Sequence, residues 1–167
     1  MEKIYSRTKT IQEDKVSGFC PGCMHSTVIK LIGEVLDEMN LVDRAASVLG
    51  IGCCGLHMDY IAYDTTTAPH GRDPREHGYP MHMCEILNQL TAPAYLVRTS
   101  CNTPQNVIKT KQAIHKAFQN QLDGKGFSMV EIVTNCPTNW GLDPLDSLKF
   151  IEEKMLPEYP LGVIRDR

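Results

Sequence analysis

Apolar residues recur at helical spacing in several stretches of the chain. Val28, Ile29, Ile32, Val35, Leu36 and Met39 share one face, which predicts an amphipathic helix over 27–39 with Ser26 as its N-cap and Asn40 at its close. A short apolar run at 45–51, AASVLGI, suits a buried strand and ends at Gly52-Cys53-Cys54-Gly55, where the chain must turn. Residues 81–91 read as a short helix and 94–99, AYLVRT, as a strand. Thr103-Pro104 opens the strongest helix, since Thr caps and Pro is favoured at the first helical position. Val107, Ile108, Ile114 and Phe118 give that helix an apolar face, and Gly124 and Gly126 stop it. Residues 127–133, FSMVEIV, read as another strand. Asp143-Pro144 starts a last helix, with Leu145, Leu148, Ile151 and Met155 on one stripe. The first 18 residues and residues 64–80 show no period and read as an arm and a loop, and the tail EYPLGVIRDR receives no element. Strands alternating with helices predict a single α/β domain with a mostly parallel sheet flanked by helices.

Composition narrows the function. The 167 residues carry 17 Lys and Arg against 20 Asp and Glu, a net charge of −3 with no long basic run, so no nucleic-acid surface is expected. No apolar run approaches the ~20 residues of a membrane helix. The polar start MEKIYSRTKTIQEDK does not read as a secretory signal. Seven cysteines in such a chain point to thiols or metal ligands in a cytosolic protein rather than to disulfides.

Cys20 and Cys23 form a C-x-x-C pair, a spacing that lets one turn present two thiolates to one metal or cluster. Cys53 and Cys101 each follow a predicted strand, and parallel strand ends can bring them to the same place, giving a four-thiolate site of Cys20, Cys23, Cys53 and Cys101. A structural zinc site uses the same residues. A redox dithiol fits less well, because EDKVSGF before the pair does not read as a strand. Cys84 and Cys136 read as ordinary buried thiols. His70-Gly71-Arg72 can hold a phosphate or carboxylate through the guanidinium. His57, His77, His82 and His115 read as surface or packing residues, and Lys109, Lys111 and Lys116 as a solvated face. Trp140, the one tryptophan, reads as a packing anchor.

Cys20-Pro21-Gly22-Cys23 with His25, then Gly52-Cys53, then His70-Gly71-Arg72, resembles the β subunit of 2-oxoacid:ferredoxin oxidoreductases. Gly78-Tyr79-Pro80, Ala94-Tyr95, Gly126-Phe127-Ser128 and the run from Cys136 to Leu142 resemble the same subunit, of the 2-oxoglutarate or branched-chain type. The resemblance implies oxidative decarboxylation of a 2-oxoacid, 2-oxoglutarate before branched-chain acids, to an acyl-coenzyme A. It implies thiamine diphosphate with Mg²⁺ as cofactor and ferredoxin as electron acceptor. The partners it implies are an α subunit and a ferredoxin-like subunit, with no nucleic acid and no membrane. A [4Fe–4S] cluster would take Cys20, Cys23 and Cys53, with Cys101 as candidate fourth ligand. Cys20, Gly52, Cys53, His70, Gly71 and Arg72 would lie close to the thiamine cofactor.

Two departures stand out. Met24 occupies the place where the family usually has Gly. The Gly-Asp-Gly motif that holds Mg²⁺ and the diphosphate, with its later Asn, is absent from the whole chain. Family members carry Gly-Arg tracts before and after that motif, and Gly71-Arg72-Asp73-Pro74 serves here as both. The expected junction therefore falls between Arg72 and Asp73, in a thiamine-diphosphate-type domain short of its central block. The alternative to a catalytic subunit is a non-catalytic remnant that keeps an iron–sulfur or zinc site.

Overall fold

A computed structural model describes residues 8–10, 19–46, 75 and 81–167. The run at 45–51 lies outside these residues beyond Ala46, as do Gly52, Cys53, Cys54, His57, His70, Gly71, Arg72, His77 and the Arg72–Asp73 junction.

Helix α1 spans His25–Glu38. It begins before Ser26, whose hydroxyl donates to the carbonyl of Cys23 (3.0 Å) instead of capping. Asn40 closes it in the left-handed region, φ 54°. The Leu41 amide then reaches the Leu36 carbonyl (2.8 Å) and the Asn40 amide that of Asp37 (3.1 Å), which satisfies the last carbonyls. Helix α2, Met83–Leu87, is shorter than its sequence pattern. Strand β1, Pro93–Ser100, is buried along its length. Helix α3, Pro104–Leu122, starts as expected, with the Thr103 hydroxyl accepting from the Asn106 amide.

Strand β2 is Phe127–Val133. After it come α4 (Pro137–Trp140), α5 (Pro144–Phe150), a π-helical turn (Ile151–Met155), α6 (Leu156–Glu158) and strand β3 (Gly162–Asp166).

Among the described residues the sheet has the order β2-β1-β3. β1 and β2 are parallel, joined by α3 as a crossover, but β3 runs antiparallel to β1. The described part of the sheet is therefore small and mixed rather than mostly parallel. A tail with no sequence signal supplies the antiparallel edge, pinned where the Arg165 guanidinium donates to the Asn88 side chain and to the carbonyls of Asn88, Leu90 and Pro93.

The main core lies on one face of the sheet, where Leu31 and Val35 of α1 meet Cys101 and Ile114. Burial of each such aliphatic side chain contributes about 1.5–3 kcal/mol. Beside this core a groove of about 740 Å³ lies between α1, α3 and β2, walled by Ile32, Phe118, Val130 and Ile132. Ile108 and Leu145, expected on apolar stripes, are instead exposed. Trp140 packs against Phe150, ring centroids 4.8 Å apart, as an anchor should.

Candidate functional site

The C-x-x-C loop needs a tight turn, and Gly22 supplies it at φ 78°. A Cβ there would stand 2.6 Å from Pro144 Cγ, so the loop packs directly on the start of α5. That start is fixed by Asp143, whose carboxylate accepts from the amides of Leu145 (2.8 Å) and Asp146 (2.9 Å).

The loop is held by Asn135, which follows β2 and is fully buried at 0% exposure. Its Oδ1 accepts from the Met24 amide (2.9 Å), and its Nδ2 donates to the Gly22 carbonyl (3.0 Å) and to Ser147 Oγ (2.7 Å). Its backbone carbonyl accepts the weak thiol bond of Cys23 (3.8 Å). One amide thus ties the cysteine loop, the end of β2 and α5 together.

The two thiols of the loop differ. Cys20 is exposed and Cys23 buried. Cys23 Sγ lies 3.0 Å from Nδ1 of His25, whose Nε2 is 3.2 Å from Thr134 Oγ1. The Phe19 ring stacks on His25, centroids 5.8 Å apart. An imidazole in that place can take the thiol proton that must leave before sulfur binds a metal. Cys136, the residue after Asn135, is half-buried.

The remaining cysteines sit elsewhere. Cys101, just past β1, is buried in the apolar cluster with Leu31, Val35 and Ile114. Burial raises its thiol pKa, and a hydrogen bond with Thr110 only partly opposes the shift. Cys84 is also buried, and desolvation together with the Glu131 carboxylate pushes it up to about 12. Cys53, the third expected ligand, and Gly52, His70, Gly71 and Arg72 lie outside the described residues. Among the described residues no three His, Cys, Asp or Glu side chains gather as a metal-sized group.

These observations bear differently on the two groups that the resemblance implies. The loop fits a cluster or metal as a two-thiol contribution, docked at the end of β2 through Asn135. The residues do not fit Mg²⁺ with a diphosphate: that ion needs near-octahedral oxygen ligation, the Gly-Asp-Gly motif is missing, and no three Asp, Glu, His or Cys side chains gather among the described residues. Nor, among the described residues, is any helix long and apolar enough to cross a membrane.

Asn135 is the residue of this candidate site that sequence reading misses. An Asn at a strand end has no signature, and only the packed loop reveals its part. For Cys136 a signal existed in its place just past a strand, the same cue that singled out Cys53 and Cys101.

The chain is similar to ketoisovalerate oxidoreductase subunit VorA of Methanothermobacter marburgensis, 45% identical over 227 residues that take in 89% of this chain and 48% of the relative. Subunit VorA of Methanothermobacter thermautotrophicus is 28% identical with the same coverage. 2-Oxoglutarate synthase subunit KorB of Archaeoglobus fulgidus is 34% identical over 89 residues, 53% of this chain and 29% of the relative. The chain spans about half the length of the first two relatives. Since 89% of 167 residues is about 149, some 78 positions of the 227-residue stretch have no counterpart in this chain. No family model and no solved structure matches. The relatives support a subunit of the 2-oxoacid:ferredoxin oxidoreductase family, and their names carry different subunit letters, A and B.

Proposed function

We propose that the chain is a β-type subunit of a 2-oxoacid:ferredoxin oxidoreductase and that its part is to hold an iron–sulfur cluster. The observation that carries the reading is the Cys20–Cys23 loop clamped by Asn135 at the end of β2. Cys53 supplies the third thiolate. Cys136 is preferred to Cys101 for the fourth, because it adjoins the clamp whereas Cys101 lies in an apolar cluster. When bound, such a cluster passes electrons one at a time to a ferredoxin-type acceptor. The chain's own residues do the positioning. Asn135 fixes the loop, Gly22 allows its turn, and His25 takes the proton of Cys23 as the sulfur is ligated.

The substrate class is a 2-oxoacid with a branched aliphatic side chain. The match to ketoisovalerate oxidoreductase takes in 89% of this chain at 45% identity, whereas that to 2-oxoglutarate synthase takes in 53%. Coenzyme A, an α subunit and a ferredoxin-like subunit complete the assembly, in the cytoplasm.

The central block is absent from this chain, with its junction between Arg72 and Asp73. The 78 unmatched positions support this, as does the groove of about 740 Å³ beside β2, whose outer edge carries no further strand among the described residues. Thiamine diphosphate and Mg²⁺ would then have to be held by other chains of the complex. The missing Gly-Asp-Gly also favours a second reading, a remnant that binds its cluster without catalysis.

Anaerobically purified protein tests both. A brown chain with iron and sulfide supports the cluster, and a colourless zinc-loaded chain overturns it. Cys136→Ser should lose the iron and Cys101→Ser should keep it, and the reverse would return the fourth position to Cys101. Ferredoxin reduction by the assembled complex, dependent on 2-oxoisovalerate and coenzyme A, separates the catalytic subunit from the remnant.

A further inference from the structure

Among the described residues β2 is paired on one side only, by β1. In a parallel ladder alternate residues turn their N–H and C=O to opposite sides, so about half of the β2 backbone groups face away from β1. Over the same strand lies the groove of about 740 Å³, walled by Ile32 of α1, Ala117 and Phe118 of α3, and Phe127, Val130 and Ile132 of β2. None of the described residues that line it is charged, and Phe127 is 51% exposed there. An open edge next to an apolar groove is the arrangement that takes up a further strand.

The path of the chain supplies the occupant. α1 sets out from the carboxyl end of β2, where the Met24 amide meets Asn135 (2.9 Å). α3 also sets out from the carboxyl ends of the strands, and two turns into it Lys111 reaches Glu34 (2.9 Å) and Glu38 (2.6 Å) of α1. α1 therefore runs beside α3 and carries the chain back from the carboxyl ends, so a strand that follows it runs parallel to β2. After Asn40 and the 3₁₀ turn Val42–Arg44 the backbone leaves extended at Ala45, φ −97° and ψ 132°. Beyond Ala46 come Ser47-Val48-Leu49-Gly50-Ile51, uncharged like the groove, and then Gly52-Cys53. This segment is tethered to the helix that walls the groove. A short tether gives it an effective concentration on the order of millimolar, which a second copy of the chain matches only in millimolar protein.

We propose that residues 47–51 dock on the outer edge of β2 as a parallel strand and place their apolar side chains against the groove. A parallel strand at that edge ends where β2 ends, which brings Gly52-Cys53 to the Asn135 clamp. The use of Cys53 as a ligand there rests on the cluster reading, whereas the docking rests on the groove and on the path of α1.

The test replaces Phe127, half-exposed on the groove wall, with a photoreactive side chain in the full chain (Phe127→p-benzoylphenylalanine). Irradiation should give an adduct within the same chain to residues 47–51, located by mass spectrometry of the digest. An adduct only to other residues, no adduct, or a cross-link between two chains would overturn the proposal, the last by identifying a second copy as the occupant. Amide hydrogen exchange followed by NMR in the wild-type chain is the second measurement. The β2 amides that face away from β1 should be protected, to a degree independent of protein concentration. Val48→Pro removes a donor from the segment and should speed exchange of those amides about tenfold, the scale of one lost hydrogen bond, while the amides facing β1 stay as they were. Should Val48→Pro misfold, the cross-link and the wild-type exchange still decide. Outward amides that exchange freely in the wild-type chain, or protection that grows with concentration, count against the docking. Neither readout depends on iron, so a failed docking is distinguishable from a failed cluster.

Discussion

Arg98 and Asn135 are both buried, at 1% and 0% exposure, and each gathers several elements, but one does it with charge and the other without. Arg98 donates to Glu131 (2.7 Å), its register partner on β2, and to Glu85 on α2 (2.8 Å), and lies 5.2 Å from the centre of the Tyr159 ring. Burial works against its charge, but the bonds to Glu85 and Glu131 more than offset this and raise its pKa. The same contact lowers the pKa of Glu85. Asn135 does comparable work with a neutral amide.

The difference shows in the cysteine beside each hub. Cys84 shares its surroundings with Glu131, whose carboxylate adds to burial in opposing a thiolate. Cys23 has an imidazole at 3.0 Å instead. A charged hub fastens the sheet to its cover; the Arg98 guanidinium itself lowers the Cys84 pKa, but burial and the carboxylates paired with that guanidinium outweigh it and oppose a thiolate. A neutral hub fixes the loop and adds no negative charge against ionisation of the thiol.

The contrast can be broken at either end. Arg98→Met should cost the most, about 3–5 kcal/mol, because it strands Glu131 in a buried place. Adding Glu131→Gln should recover part of that loss, and urea unfolding midpoints measure both. Asn135→Asp keeps the shape but loses the donors to the Gly22 carbonyl and Ser147, and should cost about 1–3 kcal/mol at neutral pH. Protonating the new carboxyl restores a donor, so the loss should shrink as pH falls; a pH-independent loss would deny that the donor matters. The smallest effect at neutral pH belongs to Cys84. Its pKa is raised from 9.0 to about 12, so the unfolded chain loses this proton first. Stability from this group is intact below 9.0 and declines as pH rises toward about 12, and Cys84→Ala should abolish that part of the decline.

Much of the fold was legible because local signals agreed with packing. The Thr103-Pro104 and Asp143-Pro144 starts, the β1 and β2 runs and the Asn40 stop all stand where side-chain chemistry puts them. What failed was decided at a distance. β3 is a short run beside a Pro and a Gly, and its strand state comes from pairing with β1. Ile108 and Leu145 are apolar at helical spacing, but the neighbouring elements leave them uncovered. At the site, the C-x-x-C spacing announced the loop by itself. The clamp did not announce itself, because Asn135 acts only through residues far away in sequence.

That separation sets an order of events during synthesis. The Asn135 bonds to Met24 and Gly22 join residues 111 and 113 positions apart. β1, α3 and β2 are consecutive, and their contacts close much shorter loops, which form sooner. A chain emerging from its N-terminus therefore shows Cys20 and Cys23 to the cell long before the residue that seats them has been made. For that interval their chemistry is governed by the surrounding thiols and metals. Loading of the proposed cluster would consequently belong after translation, once the end of β2 exists to receive the loop.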